Sequence, residues 1–216
     1  VRILVTGADQ GLGGAAAAHL ARAHEVRAVA RSEGDWRKPE VAAGLVEGVE
    51  AVVHLAEFDA PACDGAEAEH ERLLEATLGT YTLCLTARDA GVGRVVMASR
   101  LSVFDAYPAN YVIDEQWAPR PAATAWELAP YLAELSAREF AREGPLCGVC
   151  LRFAPIGQDP ARQTREADAL AAIEAALSVR FEPGGYRWHV CHVASAGRFL
   201  EREARVWLGL ERKEGW

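Results

Sequence analysis

The sequence predicts an α/β fold: a Rossmann-like doubly wound parallel sheet flanked by helices. Three observations predict it. Strand-like and helix-like segments alternate along the chain. Four glycines, Gly7, Gly11, Gly13 and Gly14, sit between the first strand and the first helix. Half of the 216 residues are hydrophobic, enough for one sizeable core. Right-handed crossovers between parallel strands put helices on both faces of such a sheet.

Each element has its own signal. Residues 1–6, VRILVT, are β-branched and aliphatic and read as a buried strand. Residues 12–23 read as a helix, with alanine supplying propensity and Leu20 an apolar contact. EVRAVAR, 25–31, reads as a second strand. Residues 39–48 form a short helix that starts on proline and stops near glycine. VEAVVHLAE, 49–57, is a third buried strand. Residues 67–91 carry a long helical pattern whose Leu73, Leu74, Leu78, Tyr81 and Leu85 form one broad stripe, stopped by Gly91. GRVVMAS, 93–99, is the next strand. A helical segment follows over 126–143, with Pro130 confining its regular part to what comes after it. LCGVCLRF, 146–153, is a strand, 167–177 a helix, 185–193 a strand and 199–209 a helix. The expected organisation is a dinucleotide-binding core over 1–155. A short C-terminal extension, 156–216, completes the core and supplies a reduced substrate lobe.

Composition excludes several classes. The formal net charge is −8 and the basic residues form no tract, which argues against a nucleic-acid partner. The five cysteines, an odd number in a chain of this length, argue against a disulfide framework. No apolar run reaches membrane-spanning length and no basic-then-apolar leader precedes the first strand, so a cytoplasmic protein without a membrane partner is expected. Cys147 and Cys150 form a CxxC, but three residues apart on a strand they face opposite ways. His189 and Cys191 share a face from which His192 points away. No metal is expected.

The glycine cluster carries the functional signal. A strand that enters a helix through a glycine turn can wrap backbone N–H groups around phosphate, and the first helical turn adds favourable electrostatics. TGADQGLG, 6–13, has the spacing TGxxxGxG and lacks the lysine of a nucleotide-triphosphate P-loop. Gly7, Asp9, Gln10, Gly11, Leu12 and Gly13 are therefore candidate cofactor residues. Gly7 permits the turn, Gly11 and Gly13 permit close backbone approach, and Gly14 permits close helix–sheet contact. An acidic residue at the end of the second strand would bind the ribose of NAD. This chain has Arg31 there, followed by Ser32. Arginine pairs with a 2′-phosphate, so NADP is expected over NAD. The alternative is a strand-end arginine that touches no ligand.

The ordered set of segments resembles the extended short-chain dehydrogenase/reductase family, in its NAD-dependent epimerase/dehydratase branch. The matching stretches are TGADQGLG at 6–13, AVVHLAE at 51–57, GT at 79–80, GVGRVVMAS at 91–99, DE at 114–115, YLAELSARE at 131–139, LRF at 151–153 and LG at 208–209. The resemblance implies that His54, Leu55 and Ala56 underlie the cofactor through backbone and shape. It also implies that residues 98–100 border the nicotinamide and that Phe153 and Pro155 line the region beyond the next strand. The apolar setting of His54 equally suits a structural role.

The family's Tyr-x-x-x-Lys pair and its serine or threonine are incompletely represented. Tyr131 matches the tyrosine, with Glu139 supporting the register; Leu135 stands at the lysine position and Arg100 at the serine or threonine position, flanked by Ser99 and Ser102. Ala76 stands where many relatives have asparagine. Without the lysine, a tyrosine near its ordinary pKa of about 10 is a poor base at neutral pH. Tyr131, Ser99 and Arg100 are the catalytic candidates, Arg100 as a holder of anionic oxygen.

Two functions are compatible with this set. One is an atypical NADP-using oxidoreductase or epimerase/dehydratase-like enzyme acting on a small polar sugar-like or carbonyl metabolite. The other is a dinucleotide-binding regulatory or scaffold protein with weak or no turnover. The late GRF, 197–199, resembles the end of small sugar-acid dehydrogenases, and Arg162, Arg165 and the 184–192 region are candidates for a small lid. The resemblance further implies a homodimer through the helices at 67–90 and 131–143.

Overall fold

In chain order the elements are β1 (Arg2–Thr6), α1 (Gly11–Leu20), β2 (Glu25–Val29), α2 (Pro39–Val46), β3 (Ala51–His54), α3 (Ala66–Leu74), α4 (Thr80–Asp89), β4 (Arg94–Arg100), α5 (Ala125–Glu143), β5 (Cys147–Phe153), α6 (Glu166–Ser178), β6 (Trp188–Val193) and α7 (Arg202–Leu208). A π-helical turn, Glu75–Gly79, joins α3 to α4, and a 3₁₀ turn, Leu101–Phe104, follows β4. These come from a computed structural model that describes residues 1–9, 11–56, 58, 65–157, 159, 163–195 and 197–210. Gln10, Cys63 and Arg162 lie outside the described residues.

The strands form one six-stranded sheet in the order β2-β1-β3-β4-β5-β6, every pair parallel. The predicted doubly wound sheet is thus present. Its strands are buried on both faces in the centre, as their near-continuous apolar runs require. Ile3, Val5, Val53, Val96, Val149 and Leu151 pack on one face against α1 and α6. Leu4, Val52, Val95, Met97 and Cys150 pack on the other against α4 and α5. β2, only partly buried, forms one edge.

Two elements differ from the sequence reading. The long helix is interrupted: the π turn inserts one residue's worth of extra backbone between α3 and α4, which a smooth 3.6-residue stripe does not reveal. Pro130 does not confine α5, which runs unbroken from Ala125 with Pro130 inside it. Proline has no N–H to offer the carbonyl four residues earlier. That carbonyl, of Trp126, instead accepts from Arg100 Nη1 at 3.1 Å. No helix among the described residues is long and apolar enough to cross a membrane.

Candidate functional site

Chain order reverses across the sheet between β1 and β3, and the crevice outside the strand ends at such a point is where open α/β sheets bind ligands. The glycine turn lies there. Gly7 and Gly11 have φ of +73° and +58°, a region that costs an L-residue strain. A Cβ on Gly7 would lie 2.7 Å from the Cα of Ala56, two residues past β3. A Cβ on Gly13 would lie 1.8 Å from the Gly7 carbonyl oxygen. The first turn of α1 therefore sits directly on the turn that precedes it. Gly13 makes the closest approach, whereas Gly14 meets Ala8 O only at 3.3 Å. Leu12 is buried in the core and Ala8 packs against it. Asp9 Oδ1 accepts from Arg31 N at 3.2 Å. A turn of this shape, opening a helix, fits a pyrophosphate.

Arg31 is not presented as the sequence reading expected. Its Nη1 donates to Ala56 O at 3.0 Å and its Nη2 pairs with the Glu75 carboxylate at the start of the π turn. Ser32 is exposed beside it.

His54 lies at the inner end of β3, fully buried. Its Nδ1 meets Thr6 Oγ1 at 2.7 Å and its Nε2 meets Thr80 Oγ1 at 3.2 Å, with Trp36 edge-on at 5.9 Å. Burial, aided by the Arg31 charge, pushes its pKa down to about 4. Burial and the Arg152 charge push His192 down to about 3. Both rings are neutral in the folded state, while the unfolded chain takes up protons below the ordinary histidine value of 6.5. Folding stability must therefore fall as pH drops from about 6.5 toward 4, by about 2 kcal/mol per histidine at pH 5. Urea unfolding at pH 7 and pH 5 reads this directly. His54→Asn should remove about half of the loss, and equal stability at the two pH values would contradict it.

Arg100, at the serine or threonine position, is 6% exposed. Its guanidinium stacks 3.5 Å from the Trp126 ring centre and donates to Phe58 O at 2.6 Å as well as to Trp126 O. It thus ties the segment after β3 to the first turn of α5. Phe58 in turn meets Phe153 edge-on, ring centres 5.6 Å apart, so an aromatic pair spans from β3 to β5 over the end of β4. Leu55 and Ala56 are buried beneath, while Pro155 is exposed at the rim. Ser99 is fully buried, its Oγ without a hydrogen-bond partner among the described residues.

Tyr131 lines a cleft of about 380 Å³ between α5 and the β6 edge. Tyr131, Glu134, Leu135 and Arg138 recur at helical spacing along one side, with Arg152, Trp188 and Glu203 opposite. Arg152 and Glu134 form a two-pronged ion pair whose side chains are 4% and 5% exposed. Burial opposes the Arg152 charge, but Glu134 holds its pKa above the usual arginine value, and Tyr131 is close enough to add to this. Arg152 Nη1 has no hydrogen-bond partner among the described residues, and its strand neighbour in register is Ser99. Glu115 fixes one wall: its Oε1 accepts from His192 N and from Glu203 N at the start of α7, both at 3.2 Å, and burial raises its pKa. Ser99, Arg100 and Tyr131 therefore do not share one pocket: Tyr131 lines the cleft, Ser99 lies beside Arg152, and Arg100 is spent on packing. Glu134 and Arg152 were missed as a pair. The only sequence signals were the 131–134–138 spacing and the LRF motif.

Residues 3–184 match the family model for the NAD dependent epimerase/dehydratase family. The chain belongs to this family. Among functionally curated proteins none matches. Solved structures show the fold of this epimerase/dehydratase member again. MoeE5 in complex with UDP-glucose and NAD is 20% identical, with a TM-score of 0.77, over 100% of this chain and 94% of that one. A uronate dehydrogenase variant from Agrobacterium tumefaciens complexed with NAD is 20% identical, with a TM-score of 0.79, over 99% and 84%. UDP-glucose 4-epimerase from Thermotoga maritima is 16% identical, with a TM-score of 0.77, over 100% and 94%. The expectation of NADP is overturned: the similar structures solved with a dinucleotide hold NAD. The physical reason in this chain is that Glu75 and Ala56 O occupy the arginine that suggested a 2′-phosphate.

Proposed function

We propose that this epimerase/dehydratase family member binds NAD at its first crossover and oxidises or epimerises a small polar, sugar-like substrate held beside Tyr131. The observation that carries the reading is the glycine turn, packed by Gly7 and Gly13 at the strand-order reversal. Similar structures support the substrate class: they include a uronate dehydrogenase and complexes with UDP-glucose and UDP-glucuronic acid.

In this reading the backbone around Gly7, Asp9, Gly11, Leu12 and Gly13 holds the pyrophosphate, and Ser32 lies by the adenosine ribose. His54, Leu55 and Ala56 form the floor, and Phe153 and Pro155 flank the nicotinamide. NAD, when bound, supplies a hydride acceptor. The Tyr131 hydroxyl exchanges the substrate proton. Arg152 supplies the nearby positive charge in place of the lysine that Leu135 replaces, its field reduced by Glu134. Ser99, buried beside Arg152, backs this pair from within the sheet, and Arg100 positions Phe58 and the start of α5. The cofactor unit is residues 1–155, with 156–216 completing the core and a reduced substrate lobe. A homodimer through the helical segments 67–90 and 131–143 belongs to the same proposal, supported by exposed Leu78 and by Tyr81, which lies 5.3 Å from Phe140 yet stays 49% exposed.

A second reading, a dinucleotide-binding protein with little turnover, is favoured by Leu135 and by the internal use of Arg100. Calorimetric titration with NAD, followed by absorbance at the NADH band over a panel of uronates, aldoses and simple carbonyls, separates the two. Binding with substrate-dependent NADH formation is expected. Binding without turnover moves the assignment to the second reading, and no NAD affinity overturns both.

A further inference from the structure

We propose that Glu75 is a specificity-determining residue that makes this site select NAD by holding Arg31 away from the adenosine ribose. The inference rests on the dinucleotide reading above and deepens it. Arg31 stands two residues past β2, and its backbone N–H is tied to Asp9 Oδ1 on the glycine turn at 3.2 Å. Its Cα therefore stays beside the phosphate-binding turn whatever its side chain does. An arginine at this place ordinarily takes a 2′-phosphate through a charge-assisted fork.

Here both ends of the fork are engaged. Nη1 donates to Ala56 O at 3.0 Å, and Nη2 pairs with Glu75. The two partners come from different segments: Ala56, two residues past β3, and the first residue of the π turn, 44 residues along the chain from Arg31. The π turn widens the helix at the residue whose carboxylate meets Arg31, and such turns recur at functional sites. The two side chains are 20% and 26% exposed, so the pair lies at the rim, within reach of a ligand.

Glu75 thus acts twice. It satisfies the guanidinium, so that a 2′-phosphate would have to break an existing pair to gain a new one. It also places a fixed negative charge where a dianionic phosphate would arrive, and like charges brought together discriminate against the wrong partner. A ribose 2′-hydroxyl meets neither obstacle.

The test is calorimetric titration of the full chain with NAD, NADP, ADP and 2′,5′-ADP. The last two report the adenosine end alone. Wild type should bind NAD and ADP at least about tenfold more tightly than their 2′-phosphorylated counterparts. Glu75→Ala should bind NADP and 2′,5′-ADP at least about tenfold more tightly than wild type does, with NAD affinity changed less than about threefold. Arg31→Ala in the Glu75→Ala background should abolish that gain. Melting curves identify any variant that has lost its fold, and Glu75→Gln then serves as the milder second variant. Wild type that binds NAD while neither Glu75 variant gains affinity for the 2′-phosphate overturns this inference and leaves the dinucleotide reading standing. Wild type that prefers NADP overturns it as well. Wild type that binds none of the four ligands overturns the dinucleotide reading itself, and this inference with it.

Discussion

Gly13→Ala should destabilise the protein by about 3 kcal/mol and abolish NAD binding. Helix propensity alone predicts the opposite sign, since alanine in a helix is favoured over glycine by about 1 kcal/mol. Packing decides against propensity. The added Cβ would fall 1.8 Å from the Gly7 carbonyl oxygen, and both partners are backbone with no rotamer to relax. Either α1 moves off the turn or the Gly7 peptide rotates, and Gly7 is itself held against Ala56, just past β3. Overpacking where side chains can adjust costs about 1–3 kcal/mol, and a rigid contact belongs at the top of that range. Gly14→Ala is the control. Its Cβ meets Ala8 O at 3.3 Å, a contact that a small shift accommodates. Denaturant midpoints and NAD titrations of the two variants measure the difference. A Gly13→Ala protein as stable as wild type would show that α1 does not sit on the turn as described.

Arg152→Met should cost about 3–5 kcal/mol, the usual penalty for leaving one member of a buried ion pair behind. The orphan would be Glu134, whose side chain is 5% exposed and whose two oxygens both bond the arginine. Glu134→Leu combined with Arg152→Met should recover most of that loss, because two apolar groups remove both desolvation penalties together. The same variants bear on chemistry. If Arg152 supplies the positive field for Tyr131, the double variant regains stability but not turnover. Parallel unfolding and activity measurements separate the structural part of the pair from the functional part. Recovery of both would leave Arg152 with a packing role only.

The parts of the fold legible in the sequence are those dictated locally. The β-branched run of β1, the alanines of α1 and the proline that opens α2 each state a conformation within a few residues. The glycine turn was legible for the same reason, since positive φ at Gly7 and Gly11 leaves a mark in residue type. What stayed hidden depends on distant partners. Arg31 looked like a phosphate ligand because Glu75 lies far along the chain, at a break in helical phase that an amphipathic stripe conceals. Pro130 looked like a helix boundary because the donor that satisfies Trp126 O comes from Arg100 at the end of β4. Arg100, Ser99 and Tyr131 looked like one group by analogy of position. Packing instead directs Arg100 to Phe58 and Trp126, and gives Tyr131 to the cleft that holds Arg152 and Glu134.

In the proposed function the turn between β1 and α1 holds the linked phosphates of NAD. Amide-resolved NMR of the isotopically labelled chain during NAD titration tests it most directly. Saturable shifts are expected at Gly7, Ala8, Asp9, Gly11, Leu12 and Gly13, all with one dissociation constant, and none at these positions with nicotinamide alone. NAD-induced shifts confined to the Tyr131 cleft, or a spectrum unchanged at millimolar NAD, would contradict it.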